Sequence, residues 1–259
     1  MEKIDQYKKN FTVNGFIKIE NIFLKKEIKE IILEIEKIKK SFTKNIKNPN
    51  FHLTKDKKIN TIHDINKFIK KGLINKLSKD KRITSVVDKI LGEKSEVRNI
   101  EFFLKPRKTG KKAPLHQDNF YWNIPNKKAL NVWIACSSSN SKNGGVFYYV
   151  KSHKDGLIDH ELSLQAGSSQ QIPPNLLKKN KYKKHYPNLN AGDCIIHHCE
   201  IIHGSDQNKS IKDRVGIVLS YKSKKAKLDK KGLNRYQNLL RKNLASLKKT
   251  NSDYKTVSK

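Results

Sequence analysis

The stretch Pro114-Leu115-His116-Gln117-Asp118-Asn119-Phe120-Tyr121-Trp122 carries the most informative residues of this chain. If His116 and Asp118 lie on one strand, their imidazole and carboxylate face the same way, because side chains alternate along a strand with a period of two. One further histidine then completes a set of two nitrogen ligands and one oxygen ligand on one face of a metal. Such a set leaves the opposite positions open, as in non-haem Fe(II) oxygenases.

A second block supplies the missing histidine and an arginine. It begins at Gly192-Asp193-Cys194 and continues through His203-Gly204-Ser205 to Arg214. The separation of His203 and Arg214 is enough for a strand end, a turn and the start of the next strand, so both side chains can reach one cavity. Only six of the 56 basic residues are arginine, so an arginine at this position departs from the strong preference of the chain for lysine. A guanidinium group binds a carboxylate through two parallel hydrogen bonds.

Both blocks resemble the signature blocks of the phytanoyl-CoA dioxygenase family, which belongs to the Fe(II)- and 2-oxoglutarate-dependent oxygenases. Between them, Trp133-Ile134-Ala135, Asn143-Gly144-Gly145 and Lys151-Ser152-His153 are similar to further family stretches, with Lys151 replacing a glycine. The resemblance covers about residues 10 to 221. It implies a dioxygenase that hydroxylates a small-molecule substrate and releases succinate and CO2.

The resemblance also implies roles for individual residues. His116, Asp118 and His203 are expected to bind Fe(II) and to be the catalytic centre, with O2 and 2-oxoglutarate as co-substrates. Arg214 is expected to anchor the far carboxylate of 2-oxoglutarate, and Ser205 to add a hydroxyl group there. Relatives that halogenate have a small residue in place of the carboxylate, so Asp118 favours hydroxylation.

Two further residues have two interpretations each. Trp133 is expected either to line the 2-oxoglutarate channel or to pack in the core, and Lys105 to face either 2-oxoglutarate or solvent. Trp122 is expected to wall the metal pocket, as part of the substrate pocket.

The remaining histidines are weaker candidates. Six residues along a regular strand separate His197 from His203, about 20 Å, which is too far for one metal. His197 and His198 are therefore interpreted as strand packing or as neighbours of the ligands. Gln117 points away from the site by simple alternation and is given no role. Solvent-facing positions are expected for His153, His160 and His185.

The hydrophobic pattern predicts a mainly β fold with flanking α-helices. Residues 15–19 alternate like a strand, whereas residues 23–38 and 64–92 have helical periodicity. Residues 41–62 look irregular, with a turn at Asn48-Pro49-Asn50. The later part of the chain predicts short strands, which with the resemblance indicate a double-stranded β-helix, a cupin-like jelly roll backed by N-terminal helices. The predicted strands are 97–104, 130–135, 146–150, 193–197 and 214–221.

Two units are predicted along the chain. Residues 1–221 form the catalytic unit, with a helical part over 1–95 and the jelly-roll core over 96–221. Residues 222–259 form a basic helix and tail, either docked on the body through its apolar stripe or acting as an interaction tail. The stripe consists of Tyr236, Leu239, Leu240, Leu244 and Leu247.

Composition limits the classes of partner. The net charge is +32, yet lysines are scattered along the chain and arginines are few, which argues against specific nucleic-acid recognition. The three cysteines have no CxxC spacing, so a reducing compartment is expected rather than a disulfide framework. No secretory signal or membrane span is apparent, and a cytoplasmic location is predicted.

Substrate identity is not specified by these motifs. Residues 41–62 and the lysine-rich residues 154–190 are the variable loops expected to contact substrate. Their charge weakly favours an anionic small molecule, although a solvated lysine face explains it better. Two other functions remain open: a cupin-like metal-binding protein without 2-oxoglutarate chemistry, and a basic nucleic-acid-binding protein on the same scaffold.

Overall fold

The computed structural model describes residues 2–42, 50–165, 167–177 and 181–250. The helices in these residues are α1 (Glu2–Asn14), α2 (Lys25–Phe42), α3 (Ile65–Phe68), α4 (Leu73–Leu77), α5 (Lys81–Leu91), α6 (Asn119–Trp122) and α7 (Lys230–Thr250). The strands are β1 (Phe16–Ile19), β2 (Phe51–Leu53), β3 (Ile59–Ile62), β4 (Ser95–Lys105), β5 (Ala113–His116), β6 (Ala129–Ala135), β7 (Val146–Tyr149), β8 (Glu161–Gln165), β9 (Ser168–Gln171), β10 (Lys184–His185), β11 (Cys194–His198), β12 (His203–Ser205) and β13 (Arg214–Ser223).

The major sheet has the strand order β1-β11-β6-β13-β4-β3-β2. Successive side chains along each strand point to opposite faces of this sheet. On β13, Ile217 and Leu219 join the core beneath the helices, whereas Val218 belongs to a second apolar cluster on the other face. This alternation follows from the period of two in a strand, and it gives the sheet one face for helices and one for the interior of the fold.

The minor sheet has the order β10-β7-β12-β5 and faces the inner side of the major sheet. Tyr148 of β7 packs with Trp133 of β6 and Ile195 of β11 in the cluster between the sheets. Two antiparallel sheets packed in this way form the sandwich of a jelly roll. The candidate site lies between them, where β5 and β12 meet.

The N-terminal helices cover the outer face of the major sheet. In α2 the isoleucines at 28, 31, 35 and 38 are buried, and lysines and glutamates occupy the other face. This spacing is that of an amphipathic helix. Helix α5 begins after Asp80, whose side chain accepts a hydrogen bond from the Arg82 backbone N–H, and ends at Gly92 with φ 74°.

The structure differs from the sequence interpretation in two N-terminal regions. Helix α1 was not predicted. Strands β2 and β3 lie within residues 41–62, which look irregular in sequence because the strands are short; of the turn predicted there, Asn48 and Pro49 lie outside the described residues. The predicted C-terminal helix is present as α7 and docks through Tyr236, which contacts Phe120 and Tyr121. The side chains of Leu239, Leu244 and Leu247 are not among those that the structure describes.

No helix in the described residues is both long enough and apolar enough to cross a membrane.

The difference in burial between two residues of α2 gives a test of how this helix packs on the sheet. Ile31 is 1% exposed, whereas Leu33 on the same helix is 56% exposed. We expect Ile31→Ala to lower the free energy of unfolding by about 2–5 kcal/mol, because it removes buried methyl groups and leaves a cavity. Leu33→Ala is the control and should change it by less than about 0.5 kcal/mol. Urea denaturation measures both, and equal losses would contradict the placement of α2.

Candidate metal centre

Pairing of two strands brings the candidate ligands together. His203 on β12 lies opposite His116 on β5, and their ring centroids are 4.2 Å apart. Asp118 Oδ1 lies 3.7 Å from His116 Nε2 and 3.8 Å from His203 Nε2. One ligand atom from each of the three residues falls within 4.8 Å of the others, so this set could hold one metal ion.

The backbone at Asp118 corrects the strand argument made from the sequence. Strand β5 ends at His116, and Asp118 has helical backbone angles, φ −61° and ψ −34°, at the start of α6. The carboxylate therefore reaches the histidines through a turn from strand to helix, and not through the alternation of one strand.

Both histidines are oriented by their own backbone. His116 Nδ1 lies 2.8 Å from the carbonyl oxygen of Pro114, and His203 Nδ1 lies 3.0 Å from that of Ile201. In each case the ring Nδ1–H donates to the carbonyl two residues earlier, which leaves the Nε2 lone pair directed at the site. Burial lowers the pKa of His116 to about 4 and also lowers the pKa of His203, so both rings are neutral, as a metal ligand must be.

The Asp118 carboxylate is held through one oxygen. Its Oδ2 accepts hydrogen bonds from Asn131 Nδ2 at 2.8 Å and from His197 Nε2 at 3.1 Å. Burial alone raises the pKa of this carboxyl group, but the neighbouring His203 and His197 lower it well below its usual range. The Asp118 carboxylate is therefore ionised, and Oδ1 is left for a metal.

His197 lies much closer to the site than its sequence position indicated. Strand β11 ends at His198, and residues 199–202 turn the chain back, so the rings of His197 and His203 are 4.7 Å apart. The estimate of about 20 Å was wrong because it assumed one regular strand through both residues. His197 Nδ1 also lies 3.1 Å from the Tyr148 hydroxyl, which fixes the ring that donates to Asp118.

Gln117 and His160 also differ from the sequence interpretation. Gln117 is fully buried; its side-chain amide donates to the carbonyls of Gly156 and Glu200, and its carbonyl accepts from Ile158 N–H. His160, expected in solvent, is buried and accepts a hydrogen bond from the Gln117 backbone N–H at 3.0 Å. These contacts fix the turn between the two metal-ligand candidates of the first block.

A cationic pocket lies beside the three ligands. Arg214 is 1% exposed, and its guanidinium lies 5.3 Å from the centroid of the Trp133 ring. Its Nε and Nη1 atoms are buried and have no hydrogen-bond partner among the described residues. Lys105 pairs with Arg214 in register, and its ammonium donates to Ser205 Oγ at 2.7 Å and to the carbonyl of Asp206. All four residues predicted around 2-oxoglutarate, namely Lys105, Trp133, Ser205 and Arg214, therefore lie together.

The unpaired charges in this pocket are energetically costly. Burial lowers the pKa of Arg214, and burial followed by the charge of Arg214 lowers the pKa of Lys105. A buried charge is tolerated when it is paired and hydrogen-bonded. The pocket is therefore complementary to an anion that offers several acceptor oxygens.

The structure places Trp122 away from the expected pocket wall. Trp122 packs with Ile124, Ala129 and Cys199, and the Arg98 guanidinium lies 5.2 Å from its ring centroid. The neighbouring Tyr121 faces the site instead: its ring centroid is 6.0 Å from that of His116.

Two tyrosines near the ligands were missed from the sequence. The Tyr121 hydroxyl donates to the Gln170 carbonyl at 3.1 Å, and Tyr236 of α7 packs edge-on against Tyr121. Tyr121 stands inside the first motif, so its position was a usable signal. Nothing in the motif indicates Tyr236, because its contact depends on how α7 docks.

The hydrogen bond from His197 predicts an effect on metal affinity. We expect His197→Ala to weaken Fe(II) binding about 10- to 100-fold, because the Asp118 carboxylate loses one of the two donors that orient it. Calorimetric titration under anaerobic conditions measures the affinity. His185→Ala removes an exposed histidine and serves as the control. Equal affinities in the two variants would contradict this role of His197.

Two known proteins are similar to this chain in sequence. The ectoine dioxygenase of Bordetella bronchiseptica is 23% identical over 247 residues, covering 85% of this chain and 76% of that protein. The human peroxisomal phytanoyl-CoA dioxygenase is 30% identical over 125 residues, covering 46% of this chain and 37% of that protein.

Solved structures confirm the predicted fold. The crystal structure of EctD from S. alaskensis with bound Fe superposes with a TM-score of 0.71 at 18% identity, covering 87% of this chain and 78% of that one. The epimerase SnoN, solved with Fe3+, alpha ketoglutarate and nogalamycin RO, gives a TM-score of 0.69 at 16% identity, covering 87% and 85%. The mainly β jelly roll with flanking helices is thus the fold of these proteins.

The family model for phytanoyl-CoA dioxygenase (PhyH) matches residues 11–216, a span that contains all three candidate ligands and Arg214. The chain belongs to the phytanoyl-CoA dioxygenase family.

Proposed function

We propose that this chain is an Fe(II)- and 2-oxoglutarate-dependent dioxygenase that hydroxylates a small-molecule substrate. The observation that carries the proposal is the buried guanidinium of Arg214, which has two unpartnered nitrogen atoms beside a set of three metal-ligand candidates. A metal site alone does not explain a buried and unpaired arginine. A co-substrate that binds the metal at one end and carries a carboxylate at the other explains both.

The donor set fits Fe(II). His116 and His203 offer neutral Nε2 atoms, and Asp118 offers one carboxylate oxygen. Two histidines and one carboxylate on one face of the metal are typical of non-haem iron oxygenases, which need open positions for their co-substrates. In this proposal the three residues hold the iron.

The cationic pocket fits the far carboxylate of 2-oxoglutarate. The Arg214 guanidinium provides two free donors, Lys105 adds a second positive charge, and Ser205 adds a hydroxyl group. Charge-assisted hydrogen bonds of this kind are short and strong. The indole of Trp133 lies under the guanidinium and limits where it can move.

When bound, iron, 2-oxoglutarate and O2 supply the oxidising chemistry, with succinate and CO2 as co-products. The protein contributes position and surroundings. Asn131 and His197 keep the Asp118 carboxylate oriented, and the buried side chains on both sheets exclude bulk water. Asp118 itself supports hydroxylation, because it fills the metal position that halogenating relatives leave to a small residue.

The relatives support a small-molecule substrate. Their names include an ectoine dioxygenase and, from Streptomyces arenae, a 1-deoxypentalenic acid 11-beta-hydroxylase that is 31% identical over 112 residues, covering 42% of this chain and 38% of that protein. Both names describe oxidation of small organic molecules.

The chelate of Fe(II) with 2-oxoglutarate tests the proposal. We expect the anaerobic protein to develop a weak visible charge-transfer band when both are added. His116→Ala should abolish the band, and Arg214→Ala should weaken 2-oxoglutarate binding at least about 10-fold, because a buried charge-assisted pair contributes several kcal/mol. Arg235→Ala, which removes an exposed arginine, is the control.

A folded, metal-loaded protein that shows no band would contradict the proposal. That outcome would favour the alternative of a cupin-like metal-binding protein without 2-oxoglutarate chemistry.

A further inference from the structure

The hairpin of β8 and β9 closes one side of the sandwich beside the candidate metal centre. The backbone N–H of Ile172, directly after β9, donates at 2.8 Å to the carbonyl of Leu115, the neighbour of His116 on β5. At the tip of the hairpin, Gly167 has φ 82°, and a Cβ at this position would lie 3.0 Å from Thr61 Oγ1 on β3. The hairpin therefore spans from β5 in the minor sheet to β3 in the major sheet.

The backbone of Gln170 on β9 is held by a residue that faces the site. The hydroxyl of Tyr121 donates to the Gln170 carbonyl at 3.1 Å and accepts from the Gln170 N–H at 3.3 Å. The Tyr121 ring centroid lies 6.0 Å from that of His116. These two hydrogen bonds fix Gln170 in place beside the candidate metal centre.

Alternation along the hairpin turns the side chain of Gln170 to the covered face. In the register of the two strands, Glu161 lies opposite Gln171 and Leu162 lies opposite Gln170. The Gln171 amide donates to the Glu161 carboxylate at 2.8 Å on the exposed face. Because successive side chains point to opposite faces, the Gln170 side chain points away from solvent, and Gln170 is 0% exposed.

The side-chain amide of Gln170 is buried without hydrogen bonds. Neither its Nε2 nor its Oε1 has a partner among the described residues. A buried polar group without a partner destabilises the folded protein, and an apolar residue of the same shape would avoid this cost. An unpaired amide beside a candidate active site is therefore best explained by a ligand that binds it.

Two more unpaired polar atoms lie on the wall that the hairpin covers. Ile62 of β3 packs under the helices, so Thr61 and His63 on either side of it face the interior of the sandwich. Thr61 Oγ1 and His63 Nε2 are buried and have no hydrogen-bond partner among the described residues. The region between the hairpin and β3 thus contains several hydrogen-bonding atoms that the described residues leave unused.

The chemistry of a carboxamide selects the group that can pair with it. Its NH2 donates and its carbonyl accepts, side by side, so its complement offers one acceptor and one donor at the same spacing. The amide of a lactam ring is such a group, because its C=O and N–H point the same way. A carboxylate could use only the Gln170 donor, and an ammonium group only the Gln170 acceptor. Gln170 therefore favours a neutral cyclic amide over either ion.

We propose that Gln170 determines substrate specificity by binding a lactam-type amide group of the substrate through two parallel hydrogen bonds. The substrate is then a small molecule that carries a neutral cyclic amide. This inference rests on the proposed function, because it names the substrate class of the same site. Gln170 lies within residues 154–190, the loop expected from the sequence to contact substrate.

Two ring compounds of the same size test the proposal. γ-Butyrolactam has both the C=O and the N–H, whereas cyclopentanone keeps the ring and the C=O but lacks the N–H. Their binding to the full chain, loaded with Zn(II) and 2-oxoglutarate, can be measured by ligand-observed NMR. We expect γ-butyrolactam to bind at least about tenfold more tightly, because the ketone leaves the Gln170 carbonyl unpaired. Gln170→Met should weaken γ-butyrolactam binding by a similar factor and remove the preference.

The stability of the same variant separates ligand binding from a structural role. Methionine has nearly the shape of glutamine without its polar amide. If the Gln170 amide is unpaired in the folded protein, Gln170→Met should leave the melting temperature unchanged or raise it. A lowered melting temperature would show that the amide serves the fold, and would overturn the proposal.

Gln171→Met is the matched control, because Gln171 is the next residue of β9 and its amide bonds to Glu161 on the exposed face. It should bind γ-butyrolactam like the unmodified protein. Undiminished γ-butyrolactam binding by Gln170→Met, equal binding of the two ring compounds by the unmodified protein, or no binding of γ-butyrolactam would also overturn the proposal.

The Fe(II)–2-oxoglutarate charge-transfer band in the same proteins separates this inference from the proposed function. A normal band in Gln170→Met shows that the metal site is intact, so its loss of γ-butyrolactam binding then supports the role of the Gln170 amide. A normal band in an unmodified protein that fails to bind γ-butyrolactam contradicts the role of Gln170 alone. Absence of the band in the unmodified protein contradicts the dioxygenase proposal instead.

Discussion

The antiparallel pairing of β5 with β12 is the constraint on which the candidate site depends. It sets His203 opposite His116 and brings together two residues that are far apart in the chain. A shift of one residue in this register would turn one imidazole to the other face of the sheet. Because both Nδ1 atoms bond to backbone carbonyls, the same strands that position the rings also direct their Nε2 atoms.

The interior of the sandwich separates charge into distinct regions. The ionised Asp118 carboxylate, with its neutral histidine neighbours, forms the candidate metal-binding region, and the unpaired Arg214 with Lys105 forms the candidate anion-binding region. Two guanidinium nitrogens of Arg214 have no hydrogen-bond partner among the described residues, so the arrangement is best explained by two ligands: a metal at the three candidate residues and a dicarboxylate co-substrate at Arg214.

The sequence predicted the fold class, five of the seven strands of the major sheet and the residues that meet at the site, because strand alternation and motif order are local properties. It failed where position depends on chain reversal or docking. Residues 199–202 turn His197 back onto Asp118, and burial of His160 depends on Gln117 in another segment. Likewise, the contact of Tyr236 with Tyr121 requires α7 to dock on the body. The apolar stripe of α7 predicts that it docks, but not which residues it contacts.

The most direct test of the account is an anaerobic crystal structure of the protein with Fe(II) and 2-oxoglutarate. We expect iron bound by His116, Asp118 and His203, and the far carboxylate of 2-oxoglutarate within hydrogen-bond distance of Arg214. Iron bound at these residues with Arg214 still unpaired, or 2-oxoglutarate bound elsewhere, would contradict it.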